Sequence, residues 1–596
     1  PGPEEQAERR KRVLIIGAGD AGEALVRDLH RTYRDRYEVV GFMDDNKRKM
    51  GLRIHDVPVL GPILYLGDFV PRYRVDEVII AIPSASGEQM RQIVDITKIA
   101  GVRTKTIPSI DQLIDGSVTV NQIRDVAIED FLGRDPVELE EGLLRKFLFD
   151  KIVMVTGAGG SIGAEMCHQI CRYLPKKLIL VEQNEPVLFF VHRDILARHP
   201  DVPVAPVIAD VTDVTRMERV FEDHGPEVIF HAAAHKHVPM MEWNPGEAVK
   251  NNVYGTRVVA DMANLFGALA FVMISTDKAV NPTSVMGASK RVSEMYVQAL
   301  SKGSRTKYTA VRFGNVLGSV GSVVPIFKEQ IAKGGPVTVT DPEMRRYFMT
   351  IPESCQLVMQ SAAMGEGGEI FVLDMGEPVK IVDLASDLIT LSGFTPGEDI
   401  QIEFTGLRPG EKLFEEIGFD EEKMNKTRHP KIYTGKLTPH PLEEMQGLLR
   451  RLVNVVDETD EDTVKAALKA IVPEFDTEVE AFLPSAEGEV RRVKKPKARP
   501  EPELAPESAP EPQVPSPAEV APKVRPKAAP KKKRKVELTP EGNNPLFEES
   551  WEHFIALCKE QGFLSVGWGT MGVKPPDKRE WASDNRQDIP EDQRGL

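Results

Sequence analysis

Short runs of large apolar residues recur along the chain, each closed by a glycine-rich or polar turn and followed by apolar positions at helical spacing. Arg12-Val-Leu-Ile-Ile16 predicts a buried parallel strand, Gly17-Ala-Gly-Asp-Ala-Gly22 a tight turn, and Glu23 to Leu29 the helix it opens. A second strand, Val39 to Met43, ends in Asp44-Asp45, and a third, Val78 to Ile82, ends at Pro83-Ser84. The pattern restarts at Lys151-Ile-Val-Met-Val155, with a glycine loop running to Gly163, a helix, and a strand Leu178 to Glu182. Further strands are predicted at Val204 to Ile208, Val228 to His231, Phe271 to Ser275 and Tyr308 to Phe313. Alternating strands and helices imply parallel sheets, because right-handed crossovers place helices on both faces. The expected class is α/β, with two tandem Rossmann-like doubly wound sheets. The first covers residues 10–135 and the second 136–440, with a smaller subdomain at its C-terminal end and a helical extension over 441–486.

From 487 to 540 the composition shifts to Pro, Ala, Glu, Lys and Arg with few large apolar side chains, too little burial to offset ordering entropy. This stretch is expected to be a disordered linker. The basic run Pro530-Lys-Lys-Lys-Arg-Lys-Val536 within it reads as solvated charge, with contact to a polyanion as the functional alternative. Residues 541–596 carry Trp551, Phe554, Ile555, Leu557 and Phe563 at partly helical spacing and predict a short helical tail. The formal net charge of −15 argues against general nucleic-acid affinity, which needs a cationic surface. The 4 cysteines are too sparse for a disulfide framework and lack metal-ligand spacing. No apolar run of about 18 residues occurs, so the expected setting is the cytoplasm.

In Gly157-Ala-Gly-Gly160-Ser161-Ile162-Gly163 the loop follows a strand and opens a helix, so it can approach a pyrophosphate and aim free N–H groups at it. Glu182, ending the next strand, is placed to accept hydrogen bonds from a ribose and to repel a 2′-phosphate, which favours NAD over NADP. Asp210 and Val211 are placed to flank the adenine. Ala232 and Ala233, in His231-Ala-Ala-Ala-His-Lys-His237, leave room for the cofactor against the backbone. His231, His235 and His237 invite a metal reading, but no nearby carboxylate or cysteine completes a ligand set, and no metal site is expected. The Gly17, Gly19, Gly22 loop with Asp44 beyond it could bind a second nucleotide or serve only a structural or regulatory role.

Ser275-Thr276-Asp277-Lys278 is followed by Met286 and, one helical turn later, Lys290. Taken with Val155 to Gly163, His231 to Pro239, Asn251 to Thr256, Arg312 to Gly318, Arg346 to Thr350 and Gly406 to Lys412, these strings resemble the nucleotide-sugar 4,6-dehydratases of bacterial polysaccharide biosynthesis. These are extended relatives of the short-chain dehydrogenases, in which methionine here takes the place of the usual tyrosine of Tyr-x-x-x-Lys. The resemblance implies tightly bound, recycled NAD and a UDP-N-acetylhexosamine substrate. It implies Asp277 as the acid for the departing C6 oxygen and Lys278 as the base for the C5 proton. Lys290 would reach the nicotinamide ribose, and Thr276, or a water, would replace the missing tyrosine at the C4 hydroxyl. Lys236, Asn315, Arg346, Arg408 and Glu411 would hold the sugar, diphosphate and nucleoside, arginine suiting phosphate through its planar fork. The first unit resembles the accessory domain of the family's long members, whose usual N-terminal membrane helices do not precede Pro1. The chain as given is read as a truncated or soluble form, expected to form homo-oligomers, whose full-length relatives sit at the inner membrane. A UDP-sugar 4-epimerase or a non-catalytic sugar-binding scaffold are the alternatives.

Overall fold

A computed structural model describes residues 10–107, 123–132, 134, 137–416, 424–435, 440–456 and 461–479. The expected linker and tail lie outside the described residues, as does the basic run.

The first apolar run forms the strand Lys11–Ile16, buried from Val13 onward. It pairs in parallel with Tyr37–Met43 on one side and Glu77–Ile80 on the other. These strands stand at the centre of a 7-stranded sheet. The helix after the Gly17 to Gly22 turn begins at Asp20, three residues earlier than the apolar spacing implied, because the glycine turn ends inside its first helical turn. A hairpin, Arg53–Ile54 with Val57–Gly61, adds an edge that the apolar runs did not announce.

The second sheet has 9 strands. Its first strand, Ile152–Thr156, lies between Lys177–Glu182 and Val228–His231, both parallel to it. Strand order thus reverses beside Ile152–Thr156, the place where open α/β sheets bind ligands beyond their C-terminal strand ends. Ala270–Ile274, Lys307–Arg312 and Ile370–Leu373 continue the parallel series, and Ile432–Gly435 and Met424–Lys426 close it antiparallel. Val204–Ile208 takes the other edge, where Pro206 has no ladder to interrupt on its outer side.

The helix Val285–Ser301 is buried along most of its length, so its apolar residues run around the cylinder rather than along one stripe. One side packs on the sheet. The other is covered by the helices Leu442–Val453 and Glu461–Ile471, whose Met445, Leu449, Leu452, Val464, Leu468 and Ile471 join the same core. Arg291 pairs with Glu474 at 3.1 Å, Lys465 with Glu242 at 3.0 Å, and Asp476 N–H donates to Pro282 O at 2.8 Å. Among the described residues no helix is long and apolar enough to cross a membrane.

Candidate active site

The C-terminal ends of the second sheet's strands open into a cleft of about 1050 Å³. One end is built by the loop after Ile152–Thr156. Gly157 has φ +66°, and a Cβ there would stand 2.6 Å from Ala233 N; one at Gly163 would stand 2.0 Å from Gly157 O. The loop therefore lies flat on Ala232 and Ala233, and the helix Ser161–Cys171 starts directly above it. Gly160, Ser161, Ile162, Gly163 and Ala232 line the cleft, whereas Gly157 and Ala233 do not and pack on each other beneath the loop. This cradle, closed to any side chain, fits a dinucleotide pyrophosphate.

Glu182 stands beside the loop, but both its oxygens are engaged: Gly159 N–H donates at 3.0 Å and Asn184 N–H at 3.1 Å. It still has acceptor capacity, since each carboxylate oxygen offers two lone pairs. Asp210 is exposed and accepts from the backbone and hydroxyl of Thr212, while Val211 is buried.

The three histidines separate by role. His231 is fully buried between Thr156 Oγ1 (2.8 Å from Nδ1) and Thr256 Oγ1 (2.9 Å from Nε2). The Thr256 hydroxyl donates to Asn252 O at 2.6 Å, so it accepts from Nε2–H, which leaves Nδ1 to accept from Thr156. Burial, reinforced by the Lys290 charge, lowers the His231 pKa to about 3, so the ring is neutral. It is a strut between strand and helix. His235 is held through its backbone by the Asn252 side chain, and His237 lines the cleft.

At the strand end, Thr276 and Lys278 line the cleft, but Asp277 does not. The Asp277 side chain is wholly buried behind them, short of the open position expected for a residue facing a sugar. Its Oδ1 accepts from Thr276 Oγ1 at 2.8 Å and from Lys278 Nζ at 3.0 Å; among the described residues Oδ2 has no partner. Lys278 Nζ also donates to Asn315 Oδ1 at 2.9 Å and lies 3.5 Å from Glu415 Oε1. Burial pulls the Lys278 pKa down, but Asp277 and Glu415 outweigh it and leave it above the ordinary value. In this state Lys278 is an ammonium.

Met286 and Lys290 follow on the helix Val285–Ser301, one turn apart and both lining the cleft. Burial lowers the Lys290 pKa to about 8 against the raising pull of Glu294. Glu294, fully buried, takes both Arg312 Nε (2.7 Å) and Arg312 Nη2 (2.6 Å), and accepts Ser275 Oγ–H at 2.6 Å. Through Ser275 the Glu294 carboxylate joins the helix bearing Lys290 to the strand end bearing Thr276, and through Arg312 to the neighbouring strand. Gly287 brings helix and turn into contact, since a Cβ there would lie 2.2 Å from Lys278 O.

Lys236, Asn315, Arg346, Arg408 and Glu411 line the same cleft. Lys236 reaches Ser319 Oγ at 3.4 Å, and burial lowers its pKa. Arg408 is half exposed and paired with Glu411. Arg346 is more committed than a free phosphate ligand, donating to the carbonyls of Arg345 (2.7 Å), Lys412 (2.6 Å) and Leu413 (3.2 Å) and lying 3.4 Å from Glu415. All the residues expected at the chemistry and at the substrate therefore meet in or directly behind one cleft. Sequence reasoning missed Glu415 and Glu294. Glu415 follows the Arg408 to Lys412 string closely enough to have been included with it.

In the first unit, Ala18 N–H donates to Asp44 Oδ2 at 2.8 Å, repeating the loop-to-carboxylate contact of Gly159 and Glu182. Asp44 is further occupied by Asn46 N–H and Lys49 Nζ.

Residues 153–437 match the family model of a polysaccharide biosynthesis protein, and residues 5–108 that of a CoA-binding domain. The capsular polysaccharide biosynthesis protein CapD of Staphylococcus aureus is 47% identical over 453 residues, which cover 76% of each protein. A UDP-N-acetylglucosamine 4,6-dehydratase (inverting) of Campylobacter jejuni is 33% identical over 271 residues, 44% of this chain and 76% of that enzyme. A UDP-glucose 4-epimerase of Rickettsia rickettsii is also 33% identical, over 289 residues, 46% of this chain and 79% of the epimerase. Across three-quarters of its length and at nearly one identical residue in two to CapD, this chain belongs to the polysaccharide biosynthesis protein family.

Proposed function

We propose that the chain is an NAD-dependent UDP-N-acetylhexosamine 4,6-dehydratase, a hydro-lyase that forms a UDP-4-keto-6-deoxy sugar for polysaccharide assembly. Similarity to both dehydratases and epimerases supports UDP-sugar chemistry without choosing between them. The observation that favours dehydration is the Thr276-Asp277-Lys278 hydrogen-bonded group beside the dinucleotide cradle, with Met286 where an epimerase ordinarily keeps tyrosine.

The Gly157 to Gly163 loop and Lys290 would hold NAD, which when bound would supply a reversible hydride acceptor for C4, the same hydride being restored at C6. A ketone at C4 acidifies the C5 proton, which makes loss of the C6 hydroxyl feasible near neutral pH. Met286 carries no transferable proton. Thr276 already directs its own proton onto Asp277, so its lone pairs can receive the O4 proton as that proton moves on. Asp277 is thereby loaded as the acid for the departing C6 oxygen and, lying behind Thr276 rather than on the cleft, delivers that proton through the Thr276 hydroxyl. Lys278 removes the C5 proton and later gives it back. The count closes, because the O4 proton leaves in the released water, the C5 proton returns, and there is no net redox change. Lys290 steadies the nicotinamide ribose; Lys236, Asn315, Arg346, Arg408 and Glu411 hold the UDP-sugar. Homo-oligomer formation and attachment to a membrane surface belong to the same proposal.

NMR of the mixture formed from UDP-GlcNAc and NAD tests it. The expected product is a 6-deoxy-4-keto sugar with solvent deuterium at C5, abolished by Asp277→Asn. A 4-epimer with intact C6 would establish the epimerase instead, and neither product nor exchange would sink the reading.

A further inference from the structure

Lys278 takes a proton in the reaction proposed above, yet the structure holds it as an ammonium. It can act as a base only after its own proton has gone somewhere, and Asp277 is needed to carry the proton for the leaving oxygen. A third group must take it.

The groups facing the Lys278 ammonium are Asp277 from its own turn, Asn315, and the carboxylate of Glu415, with Arg346 behind Glu415. Asn315 cannot accept a proton. Glu415 can. It lines the cleft, its side chain is 3% exposed, and Oε1 lies 3.5 Å from Lys278 Nζ and 3.4 Å from Arg346 Nε. Its second oxygen, Oε2, is buried without a hydrogen-bond partner among the described residues. A buried carboxylate with one oxygen unsatisfied is costly, and protonation removes part of that cost. A separation of 3.5 Å is one contraction away from a direct hydrogen bond, and such bonds commonly tighten only when substrate is present.

We propose that Glu415 is the proton store for Lys278: a positioning residue that accepts the ammonium proton from Nζ, so that the neutral amine can take the C5 proton. This rests on the dehydratase reading. The protons balance through the cycle. The O4 proton passes through Thr276 to Asp277, and the Lys278 proton moves to Glu415. Breaking the C5–H bond reprotonates Lys278, while Asp277 protonates the C6 oxygen as its bond to carbon breaks. Lys278 then returns its proton to C5 and recovers the stored one from Glu415, which restores the starting state.

The test separates C4 oxidation from C5 proton removal. With holoenzyme and UDP-GlcNAc in deuterium oxide, reduced nicotinamide absorbance in a single turnover reads the first, and C5 deuterium incorporation reads the second. Glu415→Gln and Glu415→Ala are expected to keep the absorbance change while C5 exchange falls by about 100-fold, the usual scale for loss of a positioned proton acceptor. Glu415→Asp keeps a titratable group and should restore much of the exchange. A merely structural role would depress both readouts together, and that result would overturn the proposal. So would exchange near the wild-type rate in either neutral variant, or an Asp variant as impaired as they are. If the unmodified protein neither reduces NAD nor exchanges C5, the dehydratase reading itself fails, a result distinct from all of these.

Discussion

Replacing Gly287 by alanine should separate activity from stability. A Cβ at this position would sit 2.2 Å from Lys278 O, and contacts below 3.0 Å are essentially never seen for real Cβ atoms. Helix and turn must then part by at least 0.8 Å, the difference between those two distances. Both sides of the contact are backbone, so no flexible side chain can give way. Such overpacking costs about 1–3 kcal/mol, while alanine is better than glycine in a helix by about 1 kcal/mol. The net loss of stability is therefore about 0–2 kcal/mol, a small shift in the melting temperature. The shift falls directly on the carbonyl of Lys278, and a misplacement of about 1 Å in a reacting group can cost 100-fold in rate. Turnover of UDP-GlcNAc by Gly287→Ala should fall by about that factor while the protein remains folded. Wild-type turnover in a folded Gly287→Ala protein would show that this close seat does not align the Asp277-Lys278 pair.

Glu294→Gln leaves Arg312 buried with its partner's negative charge gone, and should lower stability by about 3–5 kcal/mol in urea unfolding, much of it recovered when both residues become apolar. Lys290 is a group whose folded pKa is depressed, to about 8 from 10.5, so the unfolded chain binds more protons between these values. Its contribution to stability therefore grows as pH rises from about 8 to about 10.5, and the difference in melting temperature between wild type and Lys290→Met should show that slope. Gly157→Ala combines a positive φ with a Cβ 2.6 Å from Ala233 N and should weaken NAD binding at least about 10-fold by calorimetry. Met286→Phe should retain substantial dehydratase activity, since neither side chain transfers a proton; complete inactivity would mean that the methionine sulfur itself is used.

The parts of this site that were legible in the sequence are those where chemistry and chain order coincide. The Gly157 to Gly163 loop follows its strand directly, and Thr276, Asp277 and Lys278 are consecutive, so local pattern alone put them at strand ends. What stayed hidden depends on long-range contacts. Glu415 meets Lys278 across 137 positions, and Glu294 meets Arg312 from a different element. The string ending at Lys412 leads to Glu415 but does not reveal its meeting with Lys278, and nothing near Glu294 in the sequence reveals Arg312. The burial of Asp277 behind Thr276 and the charged state of Lys278 are likewise products of packing, as is the commitment of Arg346 to backbone carbonyls. Parallel, doubly wound sheets were implied by alternating strands and helices, whereas the short hairpin at Arg53 to Gly61 lacks a long apolar run and left no comparable mark.

The two helices that follow residue 441 wrap the one carrying Met286 and Lys290 from within the same polypeptide. A lid supplied by another subunit would come off on dilution; one carried in cis does not. The apolar packing of that helix should therefore be the same at nanomolar as at micromolar protein. Trimming the chain before residue 441 would strip that lid and leave an apolar helix facing water, a liability no added partner concentration would be needed to reveal.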